Sequence, residues 1–136
     1  MNGLTTKPGF GKYLAEKLNR FTQLKSLQIS LIMSLKEKEF SEFIANHKPR
    51  DVLKSFHFIV MGNEITKEGF SGLEQYMSQL SLNELNLNLY ANKLGAEGAE
   101  VVSNALKTQK ALNDLHLDLY FNNITEVGTE NITAVL

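Results

Sequence analysis

Carboxylate and imidazole side chains lie close together in one short stretch near the end of the sequence. Asp114, His116 and Asp118 occupy alternate positions, and Glu84 stands at the corresponding place in an earlier, similar stretch. These residue types serve as metal ligands and as the acids and bases of hydrolytic enzymes. On an extended strand, however, the two aspartates begin about 13 Å apart, whereas ligands lie about 2 Å from a shared ion. We therefore expect no metal ion and no other cofactor here.

Glu84 and Asp114 raise a second catalytic possibility, because residues of neighbouring strands are close enough for the paired carboxylates of glycoside hydrolysis. An open, water-filled surface neither raises a carboxyl pKa by burial nor encloses a substrate. His57 would lie two strands from His116, about 10 Å away, and so would not share a ligand with it. The sequence thus predicts contact residues rather than a catalytic centre, and we expect a protein that is not an enzyme.

The stretches that carry these residues are copies of one internal repeat. They begin at Leu24, Leu53, Leu82 and Leu112, which are 29, 29 and 30 residues apart, and they follow the pattern LxxLxLxLxxN. The alternation of apolar and polar residues predicts strands with one buried face. The segments that follow change to a helical period and predict amphipathic helices. Each of the last three copies carries an asparagine and, six residues later, a glycine: Asn63, Asn92, Asn122, Gly69, Gly98 and Gly128.

This pattern resembles the leucine-rich repeat family, in particular the long-repeat subtype found in ribonuclease inhibitor, in the activator of the Ran GTPase and in NOD-like receptors. The resemblance implies an α/β solenoid, a curved horseshoe segment with parallel strands on its concave face and helices on its convex face. The alternating stretch is two residues longer than the usual LxxLxLxxN. Repeats rich in asparagine and lysine also resemble those of protozoan family members, some of which occur in ciliary or cytoskeletal assemblies.

The repeat divides the chain into units of one continuous solenoid domain. The first full unit is degenerate, because Ser34 and Phe40 replace its asparagine and glycine. Residues 6–10 match residues 66–70, and neither end carries the polar cap that terminal repeats need, so we expect further repeats or neighbouring chains to cover both ends. The predicted units are a partial N-terminal repeat with turn and helix only (1–23), repeat 1 (24–52), repeat 2 (53–81), repeat 3 (82–111) and a truncated repeat 4 (112–136).

The repeated asparagines and glycines are predicted to be structural. An asparagine amide in the bend after each strand both donates and accepts hydrogen bonds, so it satisfies backbone groups that would otherwise be buried unpaired. The glycines are expected at close packing positions, with no phosphate-binding loop. His47 is expected at a helix end, where a cation is electrostatically favoured.

Residues between the buried leucines should point out of the concave face. On the last two strands they would form an acidic patch with two tyrosines, which suit an interface anchor and a partner with a basic surface. The alternative is a solvated polar face on which the tyrosines only stabilise neighbouring strands. The predicted partner-binding residues are His57, Glu84, Asn86, Asn88, Tyr90, Asp114, His116, Asp118 and Tyr120.

Composition excludes several classes of protein. The chain has 136 residues, is 43% hydrophobic and carries a net charge of −1, which argues against a disordered chain. The absence of cysteine excludes a disulfide scaffold and thiolate metal centres. The charge gives no general attraction to nucleic acid or membranes, and we expect neither as a partner. The net charge of −1 is the sum of two unlike parts. Residues 1–54 carry ten basic and five acidic side chains, whereas residues 55–136 carry four basic and ten acidic side chains.

The function predicted from these features is a non-catalytic protein–protein interaction module, part of a larger protein or assembly in the cytoplasm. One alternative is a GTPase-activating protein of the Ran-activator type, which would require an early-repeat loop such as those near Arg20 and Arg50 to contact phosphate. Another is an enzyme inhibitor resembling ribonuclease inhibitor. Members of that type are strongly acidic and cysteine-rich, and this chain is neither.

Overall fold

The computed structural model describes residues 7–136 and folds them into alternating strands and helices. All strands pair in parallel, in chain order, within one sheet, which confirms the predicted α/β class. Residues 1–6 of the predicted partial N-terminal repeat lie outside the described residues. The strands are β1 (Ser26–Ser30), β2 (Ser55–Ile59), β3 (Glu84–Asn88) and β4 (Asp114–Asp118). The helices are α1 (Phe10–Leu18), α2 (Glu37–Asn46), α3 (Lys67–Phe70), α4 (Leu73–Ser78), α5 (Gly95–Lys107) and α6 (Thr125–Thr133).

The strand register pairs the residues that the repeat aligned in the sequence. Between β3 and β4, the pairs are Glu84 with Asp114, Asn86 with His116 and Asn88 with Asp118. The same rows continue across β2 and β1. The predicted alignment of residues across the four strands is therefore confirmed.

One side of the sheet is covered by helices and the other is open. Along β3, Leu85 and Leu87 are buried, while Glu84, Asn86 and Asn88 are half-buried. Consecutive helices pack against one another, so they form a single layer on the leucine side. The opposite side, which carries the polar residues of each strand, is called the exposed sheet face below.

Aromatic rings fill the core of the first two full units. Phe40 replaces the glycine of the repeat, and its fully buried ring lies 5.7 Å from the ring centre of Phe58 and 4.7 Å from that of Phe70. The ring of Phe43 also lies 5.7 Å from Phe58. Burying each such side chain contributes about 1.5–3 kcal/mol. The degenerate position thus adds to the core instead of interrupting it.

The repeated asparagines hydrogen-bond the bends of neighbouring units to each other. Asn92 is buried, and its Oδ1 accepts hydrogen bonds from the backbone N–H groups of Asn63 (3.2 Å) and Ile65 (3.1 Å). Its Nδ2 donates to the carbonyl oxygens of Val60 (2.6 Å) and Leu89 (2.9 Å). Asn63 and Asn122 have equivalent partners. Each of these amides therefore satisfies backbone groups of two neighbouring bends.

The repeated glycines lie at close packing positions. A β-carbon added at Gly69 would lie 2.5 Å from Cγ2 of Ile65, and one at Gly98 would lie 2.8 Å from Cδ2 of Leu94. At Gly128 it would lie 3.0 Å from Cβ of Ala99. The first two distances are shorter than carbon atoms tolerate, so a side chain there would force Ile65 or Leu94 to move.

The structure differs from the expected curved segment, because the sheet does not curl over its four strands. The segment from Phe70 to Leu80 forms two helices, since Ser71 and Gly72 separate α3 from α4. On α1, Tyr13 is 58% exposed, and the nearby ammonium of Lys17 lies 5.2 Å from its ring centre.

Candidate functional site

The predicted partner-binding residues lie together on the exposed sheet face. β3 and β4 place Glu84 beside Asp114 and Asn86 beside His116 at the spacing of neighbouring strands. His57 lies on β2, beside Asn86. Because the side chains of alternate strand residues share one face, the sheet presents them as a single surface.

Glu84 is held by two side chains of the neighbouring strand. Its Oε2 accepts a hydrogen bond from the hydroxyl of Ser55 (2.8 Å), and its Oε1 lies 2.7 Å from Nε2 of His57. The hydrogen bonds from His57 and then Ser55 lower the pKa of Glu84 below its ordinary value. A carboxyl group held in its ionised form is unsuited to act as a general acid.

This cluster was missed in the sequence, although all three residues were placed on the correct strands. Ser55 lies directly across from Glu84, and His57 lies two residues further along β2. His57 therefore reaches Glu84 diagonally. Long side chains can reach the diagonal neighbour on an adjacent strand, and this rule could have predicted the contact between His57 and Glu84 from the sequence. Two of the predicted contact residues, His57 and Glu84, are therefore partly occupied with each other.

The two aspartates of β4 have no such partner. Within residues 7–136, the ion pairs involve other carboxylates, such as Glu97 with Lys67 and Glu64 with Lys93, and none involves Asp114 or Asp118. β4 thus carries a negative charge at each end, and the described part of the chain does not neutralise either one.

Asp118 and its neighbour Asn88 orient the two tyrosines. Oδ1 of Asp118 accepts a hydrogen bond from the backbone N–H of Tyr120 at 3.0 Å, and Oδ1 of Asn88 accepts one from Tyr90 at 3.0 Å. Such local side-chain bonds to the backbone two residues later favour a turn. Both tyrosines are therefore held just beyond the C-terminal ends of β3 and β4, with ring centres 6.1 Å apart.

A third ring completes a cluster at this edge. Phe121 lies 4.4 Å from Tyr120 and 5.5 Å from Tyr90, measured between ring centres. Tyr120 and Phe121 are 67% and 62% exposed. We call the three residues Tyr90, Tyr120 and Phe121 the aromatic edge.

Phe121 was not among the predicted site residues. It has φ of +55°, in the left-handed region that large side chains rarely adopt. The equivalent residues of the other full units, Met33, Gly62 and Ala91, share this conformation, so it belongs to the repeated turn. The signal in the sequence was the change from small residues to phenylalanine at one repeat position.

His47 does not fulfil its expected role as a cation at a helix end. Its side chain is buried, and Nδ1 lies 2.7 Å from the hydroxyl oxygen of Tyr76. Burial lowers the pKa of His47 to about 4, so it is neutral at pH 7. The pair lies beside a cleft of about 890 Å³ between α2 and the helices α3 and α4. Burial away from water outweighs the field of the helix end.

The remaining candidates from the sequence are the two arginines and a metal site. Arg20 and Arg50 are exposed, in the segments that precede β1 and β2. Across residues 7–136, no group of three histidine, aspartate or glutamate side chains is arranged to hold a metal ion. No helix in that range has the length and apolar character needed to span a membrane.

The fold and site define an α/β protein whose parallel sheet, in chain order, leaves an acidic and aromatic face uncovered. Comparison of the sequence with protein-family models and with curated proteins found no match. The resemblance to leucine-rich repeats therefore depends on the spacing of the repeat residues.

Proposed function

We propose that this chain is a segment of a leucine-rich repeat solenoid that acts as a non-catalytic protein-interaction module. The 29–30-residue spacing and the asparagines hydrogen-bonded across successive units support this assignment. A stack of such units leaves one sheet face free for partners. The cysteine-free sequence is consistent with a reducing, cytoplasmic setting.

The observation that carries the proposal is the aromatic edge beside Asp118, on a strand whose two aspartates, Asp114 and Asp118, form no ion pair within residues 7–136. Exposed aromatic side chains add large contact area when a partner covers them, and tyrosine is enriched at interface hot spots. A face that met only water would gain nothing from the exposed rings of Tyr120 and Phe121. We therefore favour binding over a merely solvated face.

The charge of this face selects a partner with a basic surface. Asp114 and Asp118 form no ion pairs in the described range. Asp114 lies beside Glu84, and Asp118 lies beside Asn88 at the other end of β4. Complementary charge accelerates encounter and discriminates against acidic partners. The proposed complex should therefore form more slowly as salt concentration rises.

Affinity capture with matched variants tests the proposal. The face variant combines Tyr90→Ala with Asp118→Lys. The control combines Tyr13→Ala with Glu16→Lys, which makes the same kinds of change at exposed positions of α1. Proteins bound by the wild type and the control should be lost from the face variant. Recovery of the same proteins at the same yield by the face variant would reject this face as the binding surface.

A further inference from the structure

We propose that the aromatic edge, together with Asp118, is a binding site for an arginine side chain on an extended segment of the partner. This inference rests on the proposed function, because it takes the same face as the binding surface. It adds the chemical identity of the anchor residue and assigns a role to Phe121, which the sequence pattern did not select.

The arrangement of the rings favours a flat cation. Tyr120 and Phe121 meet at an interplanar angle of 60°, and Phe121 stands at 89° to Tyr90. The ring centres lie 4.4–6.1 Å apart, so the rings touch each other and leave no hole between them for an ammonium group. Their outer surfaces remain open to solvent at Tyr120 and Phe121. A planar guanidinium can lie flat on such a surface and cover it, whereas a compact ammonium contacts a ring only as a point charge and covers less of it.

Asp118 supplies the matching charge next to the rings. Its Oδ1 is fixed by the backbone N–H of Tyr120 at 3.0 Å, so the carboxylate is held close to the start of the aromatic edge. No cation of residues 7–136 pairs with it. An arginine that stacks on Tyr120 can therefore direct its N–H groups to this carboxylate, which is the pairing that guanidinium geometry favours.

The repeat fixes where the Phe121 ring stands. Met33, Gly62, Ala91 and Phe121 have equivalent places in the four full units, and all have φ between +49° and +69°. Among the last three of these units, Phe121 alone places a ring at this position, and the ring is 62% exposed. The turn therefore presents this ring beside Tyr120.

Peptide titration monitored by NMR on the full 15N-labelled chain tests the inference. The probes are three capped glycine–serine peptides that differ at two positions, which hold arginine, lysine or the neutral isostere citrulline. The arginine peptide should shift the amide signals of Tyr90, Tyr120 and Phe121 and bind about fivefold more tightly than the lysine peptide, the ratio that about 1 kcal/mol of stacking gives. The citrulline peptide should bind more weakly than both.

Two variants keep the test independent of folding. Phe121→Gly removes the ring and suits the left-handed backbone, and Asp118→Asn removes the charge but retains the amide oxygen that accepts from Tyr120. Each should weaken the arginine peptide at least about threefold. Met33→Gly, at the equivalent position of the first full unit, should leave its affinity unchanged.

Four results would overturn the inference. Equal affinity for the arginine and lysine peptides would reject the arginine site, and so would the absence of arginine-peptide binding at millimolar concentration. Neither result would reject the proposed function, which the affinity-capture experiment tests separately. Shifts located on the helices would remove the site in the same way. Concentration-dependent shifts of the aromatic edge without peptide would assign this surface to a second copy of the chain.

Discussion

His57 on β2 and Glu84 on β3 are joined across the exposed sheet face, with Nε2 and Oε1 2.7 Å apart. Ser55 donates a second hydrogen bond to the same carboxylate. The acidic character of the face therefore concentrates at β4, where Asp114 and Asp118 stand free of ion pairs in the described range. Partner contacts are expected mainly at β4 and the aromatic edge.

The Glu84 cluster should make stability depend on pH in the acidic range. Its hydrogen bonds lower the pKa of Glu84, so their contribution is present above the ordinary value of 4.5 and is lost as pH falls through the lower folded value. Urea unfolding should therefore separate the wild type from Glu84→Gln by more at pH 6 than at pH 3. A difference that persisted unchanged at pH 3 would contradict this.

His47 should produce a second pH dependence at higher pH. Burial lowers the pKa of His47 from 6.5 to about 4. As pH falls below 6.5, His47 therefore binds a proton in the unfolded chain while it stays neutral in the folded chain, and this favours unfolding. Stability should decline between about pH 6.5 and pH 4, by up to about 3 kcal/mol. In urea unfolding at pH 7 and pH 5, His47→Gln should flatten this decline.

The matched control for His47 is His57→Gln on the exposed sheet face. Because His57 is half-buried and His47 is buried, the control should keep most of the loss between pH 7 and pH 5. If both variants flattened the curve equally, burial of His47 would not be the source.

Asn92 should be among the most sensitive positions of the chain. Its replacement by alanine leaves two N–H groups and two carbonyl groups without their side-chain partner. Buried groups left unpaired cost about 1–3 kcal/mol each, although water reaches some of them, so we expect a loss of about 3 kcal/mol or more. Asn86→Ala should change stability by less than about 1 kcal/mol, because Oδ1 of Asn86 has no hydrogen-bond partner in the described residues. Chemical denaturation of both variants measures the contrast.

The sequence predicted the strands, their register and the asparagine network because these features repeat. A leucine at every second position defines the buried face of each strand, and one-residue slips would expose the whole set. The constant 29–30-residue spacing then aligned Glu84 with Asp114 and Asn86 with His116, as the structure places them. The asparagine role followed from its donor and acceptor capacity.

Features that depend on a single position were not predictable in this way. His47 was placed at a helix end, but its burial depends on Tyr76, which is 29 residues further along the chain. The helix interruption at Gly72 brings the backbone close to Ile44, where an added β-carbon would lie 3.1 Å from Cγ2. The left-handed conformation of Phe121 recurs at the equivalent position of every full unit, but the ring that it carries is particular to the last unit among the last three.

Hydrogen exchange of this chain with and without a captured partner tests the central claim most directly, because it locates the contact surface. Partner binding should slow exchange in residues 84–90 and 114–121, which contain the two strands and the aromatic edge, and leave α1 unchanged. Slower exchange confined to the helices, with none in those two segments, would contradict a binding role for the exposed sheet face.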